Sequence, residues 1–254
     1  MRRALAIILL VLTFSVLSSA NSVEFYEKTF QQARSLKNEA QLFKLINDLE
    51  NTLSENRNSS KEKLGEKELE KVRVILAEVY FEYSEMLSDR QKREEILKKS
   101  LEISESILKN NPENGRAYYV ASMCSARLID FVNVFGKLSL LNKFDAYIDN
   151  AIRYSNDNLY KGLSYMTKAV RYMSAPWPFG DTKKALENFK EAEKYINDYS
   201  GVHLYLAEVY LKLGDKKSAE NSLRRVLNLQ PHPYFLVQHE TNVKVAQQML
   251  QNLK

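Results

Sequence analysis

The stretch Leu206-Ala207-Glu208-Val209-Tyr210, followed shortly by Gly214-Asp215-Lys216-Lys217-Ser218-Ala219, decides the fold. Its first five residues occur unchanged at 76–80. Its second part shares the pattern Gly-Asp-x-Lys-x-Ala with residues 180–185, which lie 34 residues earlier. A period of this length is typical of chains built from stacked pairs of helices.

Glycine and proline mark where the helices end. The chain has only seven glycines and five prolines, and most of them fall where the helical periodicity breaks. Gly115, Gly201 and Pro112 are examples. Because strand-like alternation is almost absent between these breaks, the sequence predicts an all-α protein with short turns.

From Ser200 onward, small, aromatic and proline residues follow a regular order. They are Ala207, Tyr210, Gly214, Ala219, Leu223, Val226 and Pro231. This order resembles a tetratricopeptide repeat. The resemblance implies that the two alanines let paired helices approach closely and that the proline ends the second helix.

The fold class that follows is a right-handed α-solenoid of about five antiparallel helix pairs with a C-terminal capping helix. The single domain spans 21–254, and its segments are pairs at about 22–55, 65–112, 113–156, 157–198 and 199–231, then a capping helix at 236–253. The polar stretch from Ser54 to Gly65 is expected to be a flexible linker. A polar-faced terminal helix is what a solenoid needs to cover its last repeat.

The N-terminus has the order of a secretory signal. Arg2 and Arg3 precede an apolar run from Ala4 to Leu17, and small residues follow at 18–20. The run is short for a bilayer span, so we expect cleavage after residue 20, a periplasmic or otherwise extracytoplasmic location, and no stable transmembrane anchor afterwards. An uncleaved membrane anchor is the alternative.

No residue pattern predicts catalysis, a cofactor or a metal site. Cys124 is the only cysteine and lies in an apolar helical run, so we expect a buried thiol. The histidines His203, His232 and His239 lack zinc-site spacing. The formal net charge of +5 is interspersed along the chain, which does not favour nucleic acid as a partner. The protein is therefore expected not to be an enzyme.

The tetratricopeptide resemblance implies that the first helices of successive pairs line a concave groove. The candidate binding residues are Lys71, Val74, Glu78, Phe81, Arg116, Tyr119, Met123, Arg127, Leu204, Glu208, Leu211 and Lys212. Their mixture of aromatic, aliphatic and charged types suits a protein or peptide partner. The alternative for each residue is packing against a neighbouring helix.

The loop 175–180, Ala-Pro-Trp-Pro-Phe-Gly, adds Trp177 and Phe179 as candidates. Two prolines restrict its backbone, so the aromatic side chains form either a rigid anchor for a partner or a plug for the space beside a shortened helix.

The sequence leads to two hypotheses about function, which belong to different classes. A third is a role in assembly, for which self-association would be the sign. The first is an exported scaffold that binds a protein or peptide in the groove. The alternative is a periplasmic carrier or transport accessory that encloses a small or lipidic ligand. Residues 176–181 before a repeat, and a closing helix after Pro231, resemble the tetratricopeptide-like T components associated with tripartite ATP-independent periplasmic transporters. That resemblance implies the carrier function.

Overall fold

The computed structural model describes residues 23–58, 64–175 and 179–253, and the regular structure within these ranges is entirely helical. The prediction of an all-α solenoid is confirmed. In chain order the helices are α1 (23–35), α2 (Glu39–Asn58), α3 (Glu66–Ser84), α4 (Arg90–Asn110), α5 (Gly115–Leu128), α6 (Val134–Tyr154), α7 (Asn158–Ser174), α8 (Thr182–Ile196), α9 (Ser200–Lys212), α10 (Lys216–Asn228) and α11 (Leu236–Asn252), with a short 3-10 turn (Ile129–Phe131) before α6.

Aspartate and asparagine begin most of these helices. Their side-chain oxygens accept hydrogen bonds from backbone N–H groups of the first turn, which no helical carbonyl can reach. Asp181, for example, accepts from the backbone N–H groups of Lys183 and Lys184 at 3.0 Å each. The capping residues are Asp89, Asn114, Asn133, Asp157, Asp181 and Asp215.

Gly214 ends α9 in a left-handed conformation with φ +80°. The backbone N–H of Gly214 donates to the carbonyl of Leu211 at 3.0 Å, and that of Asp215 donates to the carbonyl of Tyr210 at 2.9 Å. These two bonds satisfy carbonyls at the end of the helix, and glycine meets the required φ without steric cost. At 214–215 the Gly-Asp pair therefore closes one helix and opens the next, whereas in the pair at 180–181 Asp181 caps α8 and α7 has already ended at Ser174.

Small residues bring the paired helices together, as the repeat implies. Ala207 and Ala219 are fully buried and pack with Leu223 between α9 and α10. One pair earlier, Ala185 and Phe189 of α8 pack in a cluster that also contains residues of α7 and α9. Each buried cluster joins neighbouring helices, so the core runs along the solenoid as in other repeat proteins.

Helix α11 covers the last repeat. Its buried Ala246 packs into the cluster of α9 and α10 together with the partly buried side chains Val243, Met249, Leu250 and Leu253. The apolar stripe of the terminal helix thus lies against the preceding pair.

Helix α2 is longer than the sequence predicts. It continues to Asn58, so the first five residues of the stretch from Ser54 to Gly65 that was expected to be a linker are helical; residues 59–63 of that stretch lie outside the described residues. Near this end the side chains of Leu53 and Tyr26 pack against the buried cluster that α1, α2, α3 and α4 form, which extends the packed face of the helix.

The two ends of the solenoid meet. The segment before α11 turns back onto α1, where the backbone N–H of Leu236 donates to Ser35 Oγ at 3.3 Å. The ring of Phe235 lies 4.2 Å from that of Tyr199 and 5.0 Å from the guanidinium carbon of Arg34. Residues 201 positions apart in the chain are therefore in contact.

We predict that Gly162→Ala disturbs the contact of α7 with α8. A Cβ at Gly162 would lie 2.7 Å from Ile196 Cγ2, so the neighbour must move. Overpacking of this kind costs about 1–3 kcal/mol, which outweighs a gain of roughly 1 kcal/mol in helix propensity.

A double-mutant cycle with Ile196→Ala, followed by urea unfolding, checks this prediction. Removing the Ile196 side chain should make Gly162→Ala less destabilising by about 1 kcal/mol or more. Additive effects of the two changes would contradict the steric explanation.

Candidate protein-binding surface on the inner face

Five charged side chains meet where α1 lies over the first helices of the second and third pairs. We call them the ion network: Glu27, Arg34, Glu78, Glu82 and Arg116. Glu78 is at its centre, and its side chain is 1% exposed. Its Oε1 accepts from Arg34 Nη1 at 3.0 Å, and its Oε2 accepts from Arg116 Nε at 2.7 Å.

The outer carboxylates complete the pairing of each arginine. Arg34 Nε lies 2.9 Å from Glu82 Oε1. Arg116 contacts both carboxylate oxygens of Glu27, with Nη2 donating to Oε2 at 3.3 Å. The hydroxyl of Tyr160, from α7, donates to Glu78 Oε2 at 2.7 Å. Four helices thus contribute to one hydrogen-bonded group.

Aromatic rings enclose the two arginines. The guanidinium carbon of Arg34 lies 5.0 Å from the ring centre of Phe235, and that of Arg116 lies 4.7 Å from the ring centre of Tyr160. These distances are in the range of cation–π attraction. Because the rings also exclude water, the charges attract one another more strongly than they would at the surface.

Burial and ion pairing shift the pKa values of these side chains in opposite directions. Burial alone would lower the pKa of Arg34, but the carboxylates of Glu82 and Glu78 outweigh it and raise the pKa. Glu78 raises the pKa of Arg116 against burial in the same way. Burial raises the pKa of Glu82, because Arg34 only partly offsets the loss of water. Both arginines are therefore held in the charged form.

Several predicted binding residues lie within this interior. Glu78 and Arg116 belong to the ion network. The buried candidates that pack in the core clusters are Val74, Phe81, Tyr119 and Leu204. For these side chains the packing alternative describes the observed contacts, and a binding role stays a prediction.

The other six candidates on the first helices are accessible, and five of them lie near one another. Lys71 is exposed at the start of α3, away from the others. Met123, Arg127, Glu208, Leu211 and Lys212 are partly or fully exposed on the C-terminal halves of α5 and α9, with α7 between them. We call this surface the open groove and add two residues that were not predicted from the sequence, Thr167 and Tyr205.

Contacts between helices connect the open groove. Thr167 Oγ1 lies 3.7 Å from Met123 Sδ, which joins α7 to α5. Lys212 Nζ donates to the carbonyl of Met173 at 3.1 Å, which joins α9 to α7. Burial and Glu208 raise the pKa of Tyr205, while Arg127 opposes them from α5. The three first helices therefore present one surface of mixed polarity.

Glu208 is the most unusual group in the open groove. Burial raises the pKa of its carboxyl, and Lys212 offsets this only in part. Among the described residues, no side-chain or backbone donor lies within hydrogen-bond distance of its carboxylate. By contrast, Arg127 is already paired, with Nε 2.8 Å from Glu85 Oε2. A half-buried carboxylate without a donor is a ready acceptor for a partner's group.

The proline-rich loop is described only in part, and Trp177 lies outside the described residues. Phe179 is 59% exposed, so the interpretation of this ring as a plug is wrong. Its backbone carbonyl accepts from Arg171 Nη1 at 3.4 Å, which ties the end of the loop to α7. The turn thus presents the ring to solvent.

The candidate reactive side chains are held by structural contacts. Burial raises the pKa of Cys124 to about 12, and its Sγ lies 3.1 Å from Ser100 Oγ. Burial lowers the pKa of His203, whose Nε2 lies 2.8 Å from the carbonyl of Asn197. Within the described ranges, no group of three or more His, Cys, Asp or Glu side chains is arranged to hold a metal ion.

None of the helices in the described residues combines the length and apolar character needed to cross a membrane.

Sequence reasoning missed the residues that close the inner face. Arg34 follows the buried Phe30 and Ala33 on α1, and a charged residue in such an apolar stripe indicates a buried partner. That signal was available. No local pattern pointed to Tyr160 or Phe235, because their contacts are with helices far away in the chain.

We predict that Glu78→Gln strongly destabilises the protein. It leaves Arg34 and Arg116 facing each other without their shared carboxylate, and breaking a buried ion pair from one side costs about 3–5 kcal/mol. The matched control is Glu220→Gln, which breaks an exposed pair with Arg224 on α10 and should cost less than about 1 kcal/mol. Chemical unfolding measures both. Equal shifts of the two midpoints would contradict a central role for Glu78.

Comparison with known proteins identifies a family, and one solved structure shares the fold. A thermophilic TPR protein from Thermus thermophilus aligns with a TM-score of 0.54 and 17% identity, covering 86% of this chain and 99% of its own. BtubC (BKLC) from P. vanneervenii aligns with a TM-score of 0.41 and 17% identity, covering 87% and 94%. No curated protein matches the chain. The family model described as Regulator of microtubule dynamics protein 1-3 matches residues 29–254. The chain therefore belongs to the family of regulator of microtubule dynamics proteins 1-3.

Proposed function

We propose that the protein is an exported helical-repeat scaffold that binds a protein or peptide in the open groove. The observation that carries this proposal is Glu208, a half-buried carboxylate without a donor among the described residues, on the inner face of the repeat. Met123 and Leu211 provide apolar contact area beside it. A concave surface that combines apolar area with few directed polar groups is typical of peptide recognition.

The partner's chemistry follows from these groups. A lysine, an arginine or a backbone N–H group can donate to Glu208, and an apolar side chain can cover Leu211. Arg127 is already paired with Glu85, so it does not attract an acidic side chain of a partner strongly. The groove therefore suits a peptide with a basic and an apolar residue better than an acidic one.

A site-specific cross-linking experiment tests the groove. A photoreactive amino acid placed at Met123 or Leu211 should form adducts with a partner in native extracts. The same amino acid at Lys98 on α4 or Glu187 on α8, both exposed on second helices, serves as the matched control. Glu208→Gln should weaken the Leu211 adduct about ten-fold, because a charge-assisted hydrogen bond is worth about 1.5 kcal/mol or more. Equal adducts from all four positions would contradict the proposal.

The family description supports a second candidate function, in which the partner belongs to the microtubule system. The same four cross-linking variants can be mixed with purified microtubules. Adducts with tubulin from Met123 and Leu211, and none from the controls, would favour this candidate over an envelope protein.

The carrier alternative predicts an enclosed apolar cavity, and one cavity among the described residues is of another kind. It has a volume of about 410 Å³ and lies between α2, α3 and α4. Arg57, Arg73, Glu50 and Glu102 are among its lining residues. Because this cavity is open to solvent and charged side chains lie among its apolar ones, it is not the closed apolar cavity that the carrier function predicts. The carrier function stays a proposal that native mass spectrometry can test by the mass of any co-purified small molecule.

Export is part of the proposal and rests on the basic, apolar and small-residue segments of residues 1–20. We predict that the protein isolated from its native cells begins near Asn21 and is recovered from an extracytoplasmic fraction. Replacing Ala20 with a bulky residue, as in Ala20→Phe, should block cleavage and leave the longer chain. An intact N-terminus on the unaltered protein would contradict cleavage, and recovery with cytosolic markers would favour the microtubule candidate.

A further inference from the structure

The turns inside the helix pairs lie side by side along one edge of the solenoid. Arg90 at the start of α4 donates from Nη2 to the carbonyl of Asp130, in the next pair's turn, at 2.5 Å. Lys212 at the end of α9 donates to Met173 at the end of α7. We call the turns α5–α6, α7–α8 and α9–α10, with the first helical turn after each, the turn edge. Only residues 129–138, 179–184 and 213–217 are included.

Large apolar side chains are exposed on the turn edge. Phe135 is 87% exposed, Val134 is 77% exposed, and Phe179 is 59% exposed. The described residues include ten large apolar side chains that are exposed, and five of them are on these three turns: Val134, Phe135, Leu138, Phe179 and Leu213. Isolated exposed apolar residues are ordinary, but a concentration on one edge indicates a contact surface.

Lysines flank these apolar side chains. Lys137 follows Phe135, Lys183 and Lys184 follow Phe179, and Lys216 and Lys217 follow Leu213; all five are exposed. The acids in the same turns are Asp130, which is exposed, and the helix caps Asp181 and Asp215, whose carboxylates accept from backbone N–H groups at 2.9–3.0 Å. Much of the negative charge of the two caps is therefore balanced by the helix ends.

The opposite edge consists of the turns between helix pairs, and its ratio of basic to acidic side chains is lower. Counted with the last helical turn before each of these turns, its exposed acids are Glu113, Asp157 and Asp198, of which Asp157 is a helix cap, and its exposed bases are Lys109, Arg153 and Lys194. Positive charge and exposed apolar side chains thus coincide on the turn edge.

We propose that the turn edge docks on the surface of a membrane that contains anionic lipids. Phe135 and Phe179 would enter the interface between headgroups and acyl chains, while the lysines contact anionic headgroups. The apolar side chains project from separate turns, each with its own lysines. A fluid lipid surface accepts such separate points, whereas a protein partner would need a matching pocket for each of them.

The proposal does not depend on the open groove. The groove is on the inner face of α5, α7 and α9, and the turn edge is at the ends of these helices. A failure of vesicle binding therefore leaves the groove proposal standing, and the reverse is also true.

A fluorescence experiment reports the edge directly. In full-length protein, Phe135→Cys can be labelled with an environment-sensitive fluorophore, because Cys124 is fully buried. Vesicles of equimolar phosphatidylcholine and phosphatidylglycerol should shift the emission to the blue, and pure phosphatidylcholine vesicles should not. The matched control is Asn156→Cys on the opposite edge, which is exposed and should show no shift. A shift at Asn156 alone, or at neither site, overturns the proposal.

Vesicle flotation of matched charge variants gives a second measurement. Lys183→Gln with Lys184→Gln removes two positive charges from the turn edge, and Lys109→Gln with Arg153→Gln removes two from the opposite edge. We expect the first pair to weaken binding about ten-fold or more and the second to have little effect. Equal losses for both pairs, or binding that no variant changes, overturn the proposal. These four side chains are exposed, so the variants should remain folded.

Discussion

The carboxylate of Glu78 is the point on which the closed form of this solenoid depends. It receives hydrogen bonds from Arg34 on α1, Arg116 on α5 and Tyr160 on α7. Through Arg34 it is also connected to Phe235, in the segment before α11. A buried charge is tolerated only when its partners are all present, so the group forms as a unit or is strongly unfavourable. Helix α1 and the segment before α11 are thereby held at one place on the inner face.

This connection changes what the repeat architecture can present to a partner. In a simple solenoid each repeat contacts only its neighbours, and the whole inner face is available. Here α1 contacts α5 through Glu27 and Arg116, and the segment at Phe235 contacts α1. The inner face consequently has a part that is filled by the protein's own side chains and an open groove on α5, α7 and α9. A partner therefore meets the open groove rather than the part that α1 covers.

The local parts of the fold could be predicted from sequence, and the closure could not. Ala207, Ala219 and Gly214 have the same role in every repeat of this kind, so their spacing was sufficient to predict paired helices. The groove candidates were chosen by the same local rule, which treats all repeats alike. Whether a given place is covered depends on contacts such as that of Leu236 with Ser35, which are 201 residues apart. Periodicity contains no information on such contacts. Arg34 was the exception, since its charge within an apolar stripe indicated a buried partner.

The open groove and the turn edge belong to the same helices, and this follows from how the turns are built. Lys212 ends α9 within the groove, and Gly214 then reverses the chain so that Lys216 and Lys217 begin α10 on the edge. The sharp left-handed turn allows a groove residue and an edge residue to be neighbours in the chain while facing different surroundings. A partner in the groove would therefore be held close to whatever surface the turn edge contacts. The Gly-Asp turn that identified the repeat in the sequence is also the element that places the two surfaces next to each other.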